Sequence, residues 1–545
     1  MLAHILAVAA ALAPAALAQS GGIQRDLQYG ENWVPVQKDP EIVAANFPDV
    51  NITLLSPAFA DPDTVPAAFA DGAEGPTDDL DLDFFIRRLA RKNDWLSYEP
   101  AAFLSEEGRA IPYLYLSLPS SWADEQENKK LRVYLQAAIH GNEPAADQSV
   151  LALLGKMDAD QEWTRSVLSK MDIKILPRYN VDGVSYFQRQ LACNLDPNRD
   201  HIKLMRDQTR GIKQVVSDYN PHISIDMHEF TASTIYGGSY RHGADSLISG
   251  GINPNIHPDI RAQVLDVFIP AMGRALEVHD IRWEPYVTGS PNTTAGSPIV
   301  LGEAVTEART GRNAVGLTQT ISFLLEMRGI RLADQHFQRR VATALLKITA
   351  ILDTARDRHD DVLATVERAR NDFIDSDEDI VVTDSPVVEN RTFTMVDVNN
   401  GSLVQAPITF LRTTPSVANL TRARPEAYLI PRAWADVAKR LEILGLDVER
   451  LDAQFNGTVE AMVVEKSEIY PQIYEGHVLN TVTTTATPDR DIVLPPGSFR
   501  VSTRQKNAAL AFIALEPENI DSYVTFNIIP VSAGEEYPIF RIPRA

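Results

Sequence analysis

Apolar positions follow two rhythms along the chain, and the change falls near residue 376. From about residue 76 to about 330, apolar runs of strand length alternate with stretches whose apolar residues recur at helical spacing. The strand-like runs are LRVYLQAAI (131–139), DIKILP (172–177), HISIDM (222–227) and TISFLLE (320–326). Thr77 has the N-cap chemistry to open a first helix, with Leu80, Phe84, Ile86 and Leu89 at roughly helical spacing behind it. A second amphipathic stretch runs from Ala145 to about Lys156, and Leu332 to about Phe373 reads as one long or broken helix. This alternation predicts an α/β domain over residues 76–375, a mostly parallel mixed sheet with helices on both faces.

After SDEDIVVTDS (376–385) the chain becomes rich in Val, Thr and Ile, with turns at NNGS and LPPGS. Residues 376–545 therefore read as a C-terminal β-rich domain. It holds one small βαβ piece: AYLI leads to Pro431 at a helix start, the helix ends near Gly445, and LDVERL resumes a strand. Residues 19–75, rich in Pro, Ala and Asp with little periodicity, read as an N-terminal arm. The first 18 residues read as a signal peptide, an apolar run from Leu2 closed by the small-residue site Ala16-Leu17-Ala18. No later run reaches the roughly 18 uninterrupted apolar residues of a membrane span, so no membrane anchor is expected.

The chain has 545 residues and a formal charge of −22, from 51 Lys and Arg against 73 Asp and Glu. That excess of negative charge argues against nucleic acid and against anionic membrane surfaces. It fits a secreted, extracellular protein, periplasmic if the source is bacterial. With one cysteine, Cys193, there is no internal disulfide, and the fold must rest on its core. Cys193 itself reads as a small filler. Six N-x-S/T sequons begin at Asn51, Asn292, Asn390, Asn400, Asn419 and Asn456.

The candidate chemistry gathers where the strand-like runs end. His140 follows the first run with Glu143 three residues on, His228 follows HISIDM, and Glu326 closes TISFLLE. Open α/β sheets bind ligands outside the carboxyl ends of their strands. A charged Glu finishing a buried strand costs several kcal/mol unless it has a partner or a task. Two imidazoles and a carboxylate are ligand types that zinc takes in catalytic sites, with a position left for water. A second segment carries the turn Asn180-Val181-Asp182-Gly183 and then Asp196-Pro197-Asn198-Arg199, where an Arg beside an Asn suits a carboxylate.

Together these segments resemble the zinc carboxypeptidase family, which includes carboxypeptidase A. The motifs stand in family order over about residues 76–350: H-x-x-E, N-x-D-G, D-x-N-R, a strand-end His and a late Glu within FLLEMRG. The resemblance implies one Zn2+ per chain on His140, Glu143 and His228, with Glu326 as general base. Asp196 would hold a zinc-bound imidazole, Asn198 and Arg199 the substrate's terminal carboxylate, and Arg189 the scissile carbonyl. The substrates implied are the C-termini of peptides or proteins. The family also has a mobile tyrosine some twenty residues before the Glu. LGEAVTEARTGRNAVGLTQ (301–319) contains none, and Tyr286 lies further upstream. Arg309 and Arg312 either favour an acidic substrate side chain or solvate a loop, the latter being the plainer reading.

Two alternatives share the same residues. One is a zinc amidase or deacylase acting on a cell-wall peptide or other acyl substrate. The other is an inactive binding protein that keeps the fold.

Overall fold

The computed structural model describes residues 36–60, 77–119 and 129–544. The signal peptide expected at 1–18 lies outside the described residues, as do parts of the arm at 19–35 and 61–75. An eight-stranded mixed sheet forms the centre. Its middle is parallel: β4 (Met171–Leu176), β3 (Leu131–Ala137), β5 (Ile223–Thr231) and β11 (Ile321–Ile330) lie side by side in that order. Strands β1 (Leu96–Tyr98) and β2 (Leu114–Leu116) add an antiparallel edge on one side. β7 (Ser246–Gly250) and β8 (Trp283–Pro285) extend the other, with β7 antiparallel to β11.

Both faces are covered, which is why the central strands read as unbroken apolar runs. In β3, Val133, Leu135 and Ala137 enter the main core, while Tyr134 enters a second cluster with Ile212 and Val216. The predicted amphipathic stretch is the helix Pro144–Ala159. The predicted long or broken helix is two helices, Phe337–Asp357 and His359–Asp375, parted at Arg358. Two strands run further than the sequence suggests. Pairing with each other carries β5 on to Thr231 and β11 on to Ile330, so His228 and Glu326 sit inside strands rather than at their ends.

The arm is anchored by charge. Asp39 is buried and accepts hydrogen bonds from Arg241 at 2.8 Å and from Arg328, whose second nitrogen stands at 3.0 Å. Burial pushes this carboxyl up, but His336 at 3.7 Å, the hydrogen bonds from Arg328 and Arg241 and the arginine charge outweigh it and hold it well below the usual range.

Beyond residue 376, β12 (Ile380–Asp397) and β13 (Leu403–Arg422) form a long hairpin. It joins β6 (Tyr240–His242), β9 (Val287–Thr288) and β10 (Val300–Glu303) in a five-stranded sheet. A third sheet has six strands, in the order β15 (Glu449–Arg450), β18 (Phe499–Ser502), β14 (Ala427–Ile430), β19 (Phe540–Ile542), β16 (Phe455–Tyr474) and β17 (His477–Leu494). The small βαβ piece takes a split form, because β18 inserts antiparallel between β14 and β15. The helix Ala508–Leu515 is apolar throughout and buried, and its Phe512 ring lies 6.4 Å from Phe373. One hydrophobic core thus runs across residue 376.

Replacing Asp39 by Asn would leave Arg328 and Arg241 buried without their carboxylate. The expected loss is about 3–5 kcal/mol, read as a lower denaturant midpoint. Since folding depresses this pKa, the wild-type advantage should be full above about pH 4 and shrink as pH falls below it.

Candidate metal centre and cleft

Each functional side chain is held by local backbone chemistry. β3 ends at Ala137, and Ala138, in the left-handed region at φ 51°, turns the chain toward His140. A Cβ on Gly141 would come within 2.0 Å of the Gly183 carbonyl carbon, so only glycine lets the His140 loop seat on the N-x-D-G segment. That segment is the start of a short helix, Val181–Tyr186, rather than a free turn. The Asn180 side chain caps it, accepting from Gly183 N at 2.8 Å. Glu143 precedes the helix Pro144–Ala159, which opens on a proline. The parallel register of β5 and β11 sets His228 directly beside Glu326.

His140, Glu143 and His228 converge. His140 Nδ1 lies 2.7 Å from one Glu143 carboxylate oxygen, and His228 Nδ1 lies 3.0 Å from the other. The two Nδ1 atoms are 3.2 Å apart. Each ring turns its far nitrogen toward a carboxylate: His140 Nε2 is 3.1 Å from Asp196 Oδ1, and His228 Nε2 is 3.1 Å from Asp226 Oδ2. Assigning the Nε2 protons to those carboxylates turns both Nδ1 lone pairs toward the Glu143 carboxylate, which also accepts from Glu229 N at 3.0 Å and from Arg189 at 3.4 Å. Such a set of converging acceptors fits a cation, and the donor types suit zinc. Burial pushes the Glu143 carboxyl up, but the two imidazoles outweigh it and hold it well below the usual range. Burial pushes His228 down, and Asp226 with Glu143 more than reverses that.

Glu326 lines the same 580 Å³ cavity, and its Oε2 is buried without a partner among the described residues. Burial pushes its carboxyl up to about 8, with Glu143 adding and His228, Arg189 and Lys347 opposing. Lys347 Nζ donates to the Glu326 backbone oxygen at 2.9 Å and fixes the strand from behind. Arg189 reaches Asp196 at 3.0 Å and Glu143 at 3.4 Å. Asn198 Oδ1 accepts from Gly311 N at 2.8 Å, which turns its amide nitrogen outward. Arg199 and Asn198 line the cavity beside it. All eight residues singled out in the sequence therefore meet at one place: His140, Glu143, Arg189, Asp196, Asn198, Arg199, His228 and Glu326. Glu229, next to His228, points away, paired with Arg340 at 2.7 Å.

Three contributors escaped the sequence reading, and a fourth, Tyr286, was set aside there for its position. Asp226 was legible in principle, since it lies two residues before His228 and so on the same strand face. Tyr286 also lines the cavity. Tyr474 and Glu475 come from the tip of the β16–β17 hairpin, far along the chain, where no local signal announces them. Glu475 and Gly476 form the two-residue turn, both with positive φ, 47° and 79°. The Glu475 carboxylate accepts from Asp196 N at 2.7 Å, and its carbonyl accepts from Lys203 Nζ at 2.8 Å. Tyr474 stands over Arg309, its ring centre 5.2 Å from the guanidinium carbon.

This geometry agrees with the relationships of the chain. Residues 98–243 match the zinc carboxypeptidase family model, and Glu326 lies beyond the matched segment. The chain belongs to the zinc carboxypeptidase family and is a zinc-dependent hydrolase, which removes the reading as an inactive binding protein. Carboxypeptidase 2 of Trichophyton rubrum is 50% identical over 520 residues, 95% of this chain and 96% of that protein. Carboxypeptidase 2 of Trichophyton equinum is 50% identical over 519 residues, with the same coverage, 95% and 96%. A crystal structure of a metallo-carboxypeptidase from Burkholderia cenocepacia aligns with a TM-score of 0.40 and 16% identity, over 52% of this chain and 71% of its own. Among the described residues no helix is long and apolar enough to cross a membrane.

If Asp226 orients His228, Asp226→Asn should weaken zinc binding about 10–100-fold. Competition with a chromophoric chelator measures this, and unchanged affinity would remove Asp226 from the metal centre.

Proposed function

We propose that this chain hydrolyses the last peptide bond of peptides and proteins, using one zinc ion per chain held by His140, Glu143 and His228. Glu326 is the general base. The observation that carries this reading is the unpartnered carboxylate oxygen of Glu326, buried beside His228 in the cavity lined by the three ligands. Zinc bound there would supply an acidified water and a Lewis acid for the carbonyl. Glu326 takes the proton from the attacking water and returns it to the leaving amine. Its raised proton affinity suits the return of the proton to the leaving amine, and a cation bound beside it would favour the ionised form that the first half needs. Arg189, half-exposed and braced by Asp196, offers its remaining N–H groups to the developing oxyanion. Asn198 and Arg199 grip the terminal carboxylate, which sets the last peptide bond over the centre.

Residues 76–375 supply this machinery, and the β-rich remainder closes the cleft through the hairpin tip. The Asn198–Arg199 pair favours substrates with a free carboxylate. A zinc amidase acting on wall peptides would share that feature, so muropeptides are the control substrates. Secretion through a eukaryotic pathway fits the leader at 1–18, and all six sequon asparagines are exposed.

For Glu326→Gln, kcat on N-blocked dipeptides should fall about 10²–10⁴-fold. Native mass spectrometry should still find one zinc per chain. Full activity, or loss of the metal, would overturn the assigned base. Expressed in a filamentous fungus, the activity should collect in the medium, and enzymatic removal of N-glycans should lower the protein's mass. Retention inside the cells in unglycosylated form would contradict the secretory reading.

A further inference from the structure

The cleft holds four arginines, and two of them are already neutralised. Arg189 has Asp196 and Glu143. Arg309 has Asp521, its Nε 2.5 Å from Oδ1 and its backbone N 3.0 Å from Oδ2, with Glu307 at 3.2 Å. Arg309 is therefore a structural anchor for its loop and not a free charge. The Arg199 side chain makes one hydrogen bond, to the Asn198 carbonyl at 2.8 Å, and has no carboxylate within ion-pairing distance among the described residues.

Arg312 is the unusual one. It is only 4% exposed, yet it lines the cavity and likewise has no carboxylate within ion-pairing distance among the described residues. One terminal nitrogen donates to the Val305 carbonyl at 2.8 Å, and Nε has no partner. Its backbone is pinned, since the Arg312 carbonyl accepts from Ser322 Oγ at 2.7 Å. The guanidinium sits 5.7 Å from the centre of the Tyr286 ring. Glu307 and Glu326 share the cavity, but Glu307 serves Arg309 and Glu326 faces His228. Burial accordingly pulls the Arg312 guanidinium below its ordinary pKa. A buried, unmatched cation is costly, and a carboxylate brought by a ligand would relieve it.

One terminal carboxylate accounts for Arg199 with Asn198 and leaves Arg312 unmatched. We propose that Arg312 makes its part of the cleft a subsite for an acidic side chain on the substrate's C-terminal residue. This rests on the carboxypeptidase reading and adds the substrate class to it. The plainer reading of the sequence, that these arginines solvate a loop, does not fit Arg312, which meets almost no solvent.

The test uses the full-length, zinc-loaded protein and four N-blocked dipeptides that differ only in the last residue: Glu, Gln, Leu and Lys. kcat/KM for the Glu-terminal substrate should exceed that for the Gln-terminal one by about tenfold or more, as one charge-assisted hydrogen bond supplies. Arg312→Gln should lower kcat/KM for the Glu-terminal substrate at least about tenfold more than for the Leu-terminal one, and Arg312→Lys should recover part of the difference. Independently of turnover, N-acetylglutamate should raise the wild-type melting temperature more than N-acetylglutamine does. Cleavage of the dipeptides without preference for Glu would overturn the subsite while leaving the carboxypeptidase reading intact. An equal rise in KM for all four substrates in Arg312→Gln would overturn it too, placing Arg312 on the terminal carboxylate. Failure to cleave any of the four would overturn both.

Discussion

Positive charge between two imidazoles is the requirement that organises this molecule. Glu143, Asp196, Asp226 and Glu326 are all buried around one cavity, and four carboxylates so placed repel one another unless cations stand among them. Arg189 supplies one such charge by bridging Asp196 and Glu143. The gap between His140 and His228 calls for another. The two outer carboxylates stand at the far nitrogens of both rings, so Nδ1 of each faces inward and the set suits a cation.

That arrangement depends on features that look unrelated to chemistry. The parallel register of β5 and β11 makes neighbours of His228 and Glu326, and a slip of one residue in either strand would turn that strand's residue to the wrong face. Gly141 is needed because two loops touch backbone to backbone. Arg328, two residues along β11 from Glu326, is neutralised by Asp39 of the N-terminal arm. The strand carrying the proposed base is therefore clamped by Lys347 on one element and by the arm on another.

Much of this was legible in the sequence, for a physical reason. Strands buried on both faces leave continuous apolar runs, so His140, His228 and Glu326 stood out as polar residues against them. The family resemblance then tied Asp196, Asn198, Arg199 and Arg189 to the same place. The strand ends were misjudged because pairing between β5 and β11 extends past the point where apolar character fades. Asp226 was hidden in plain view by its position inside HISIDM. The charge state of the arginines was illegible: Arg309 and Arg312 are three residues apart and similar in local sequence. Asp521, more than two hundred residues away, is what distinguishes them.

The hairpin tip carries a consequence for how the molecule comes into being. Glu475 adopts a left-handed backbone at φ 47°, which costs a side-chain-bearing residue roughly 1–2 kcal/mol, and in return holds the loop of Asp196 from the far end of the polypeptide. A ribosome must therefore pass residue 475 before that loop has its support. Until then the growing chain carries a cleft whose Asp196 loop lacks its contact with the hairpin tip, so the last of these tertiary contacts forms only after most of the polypeptide has been made.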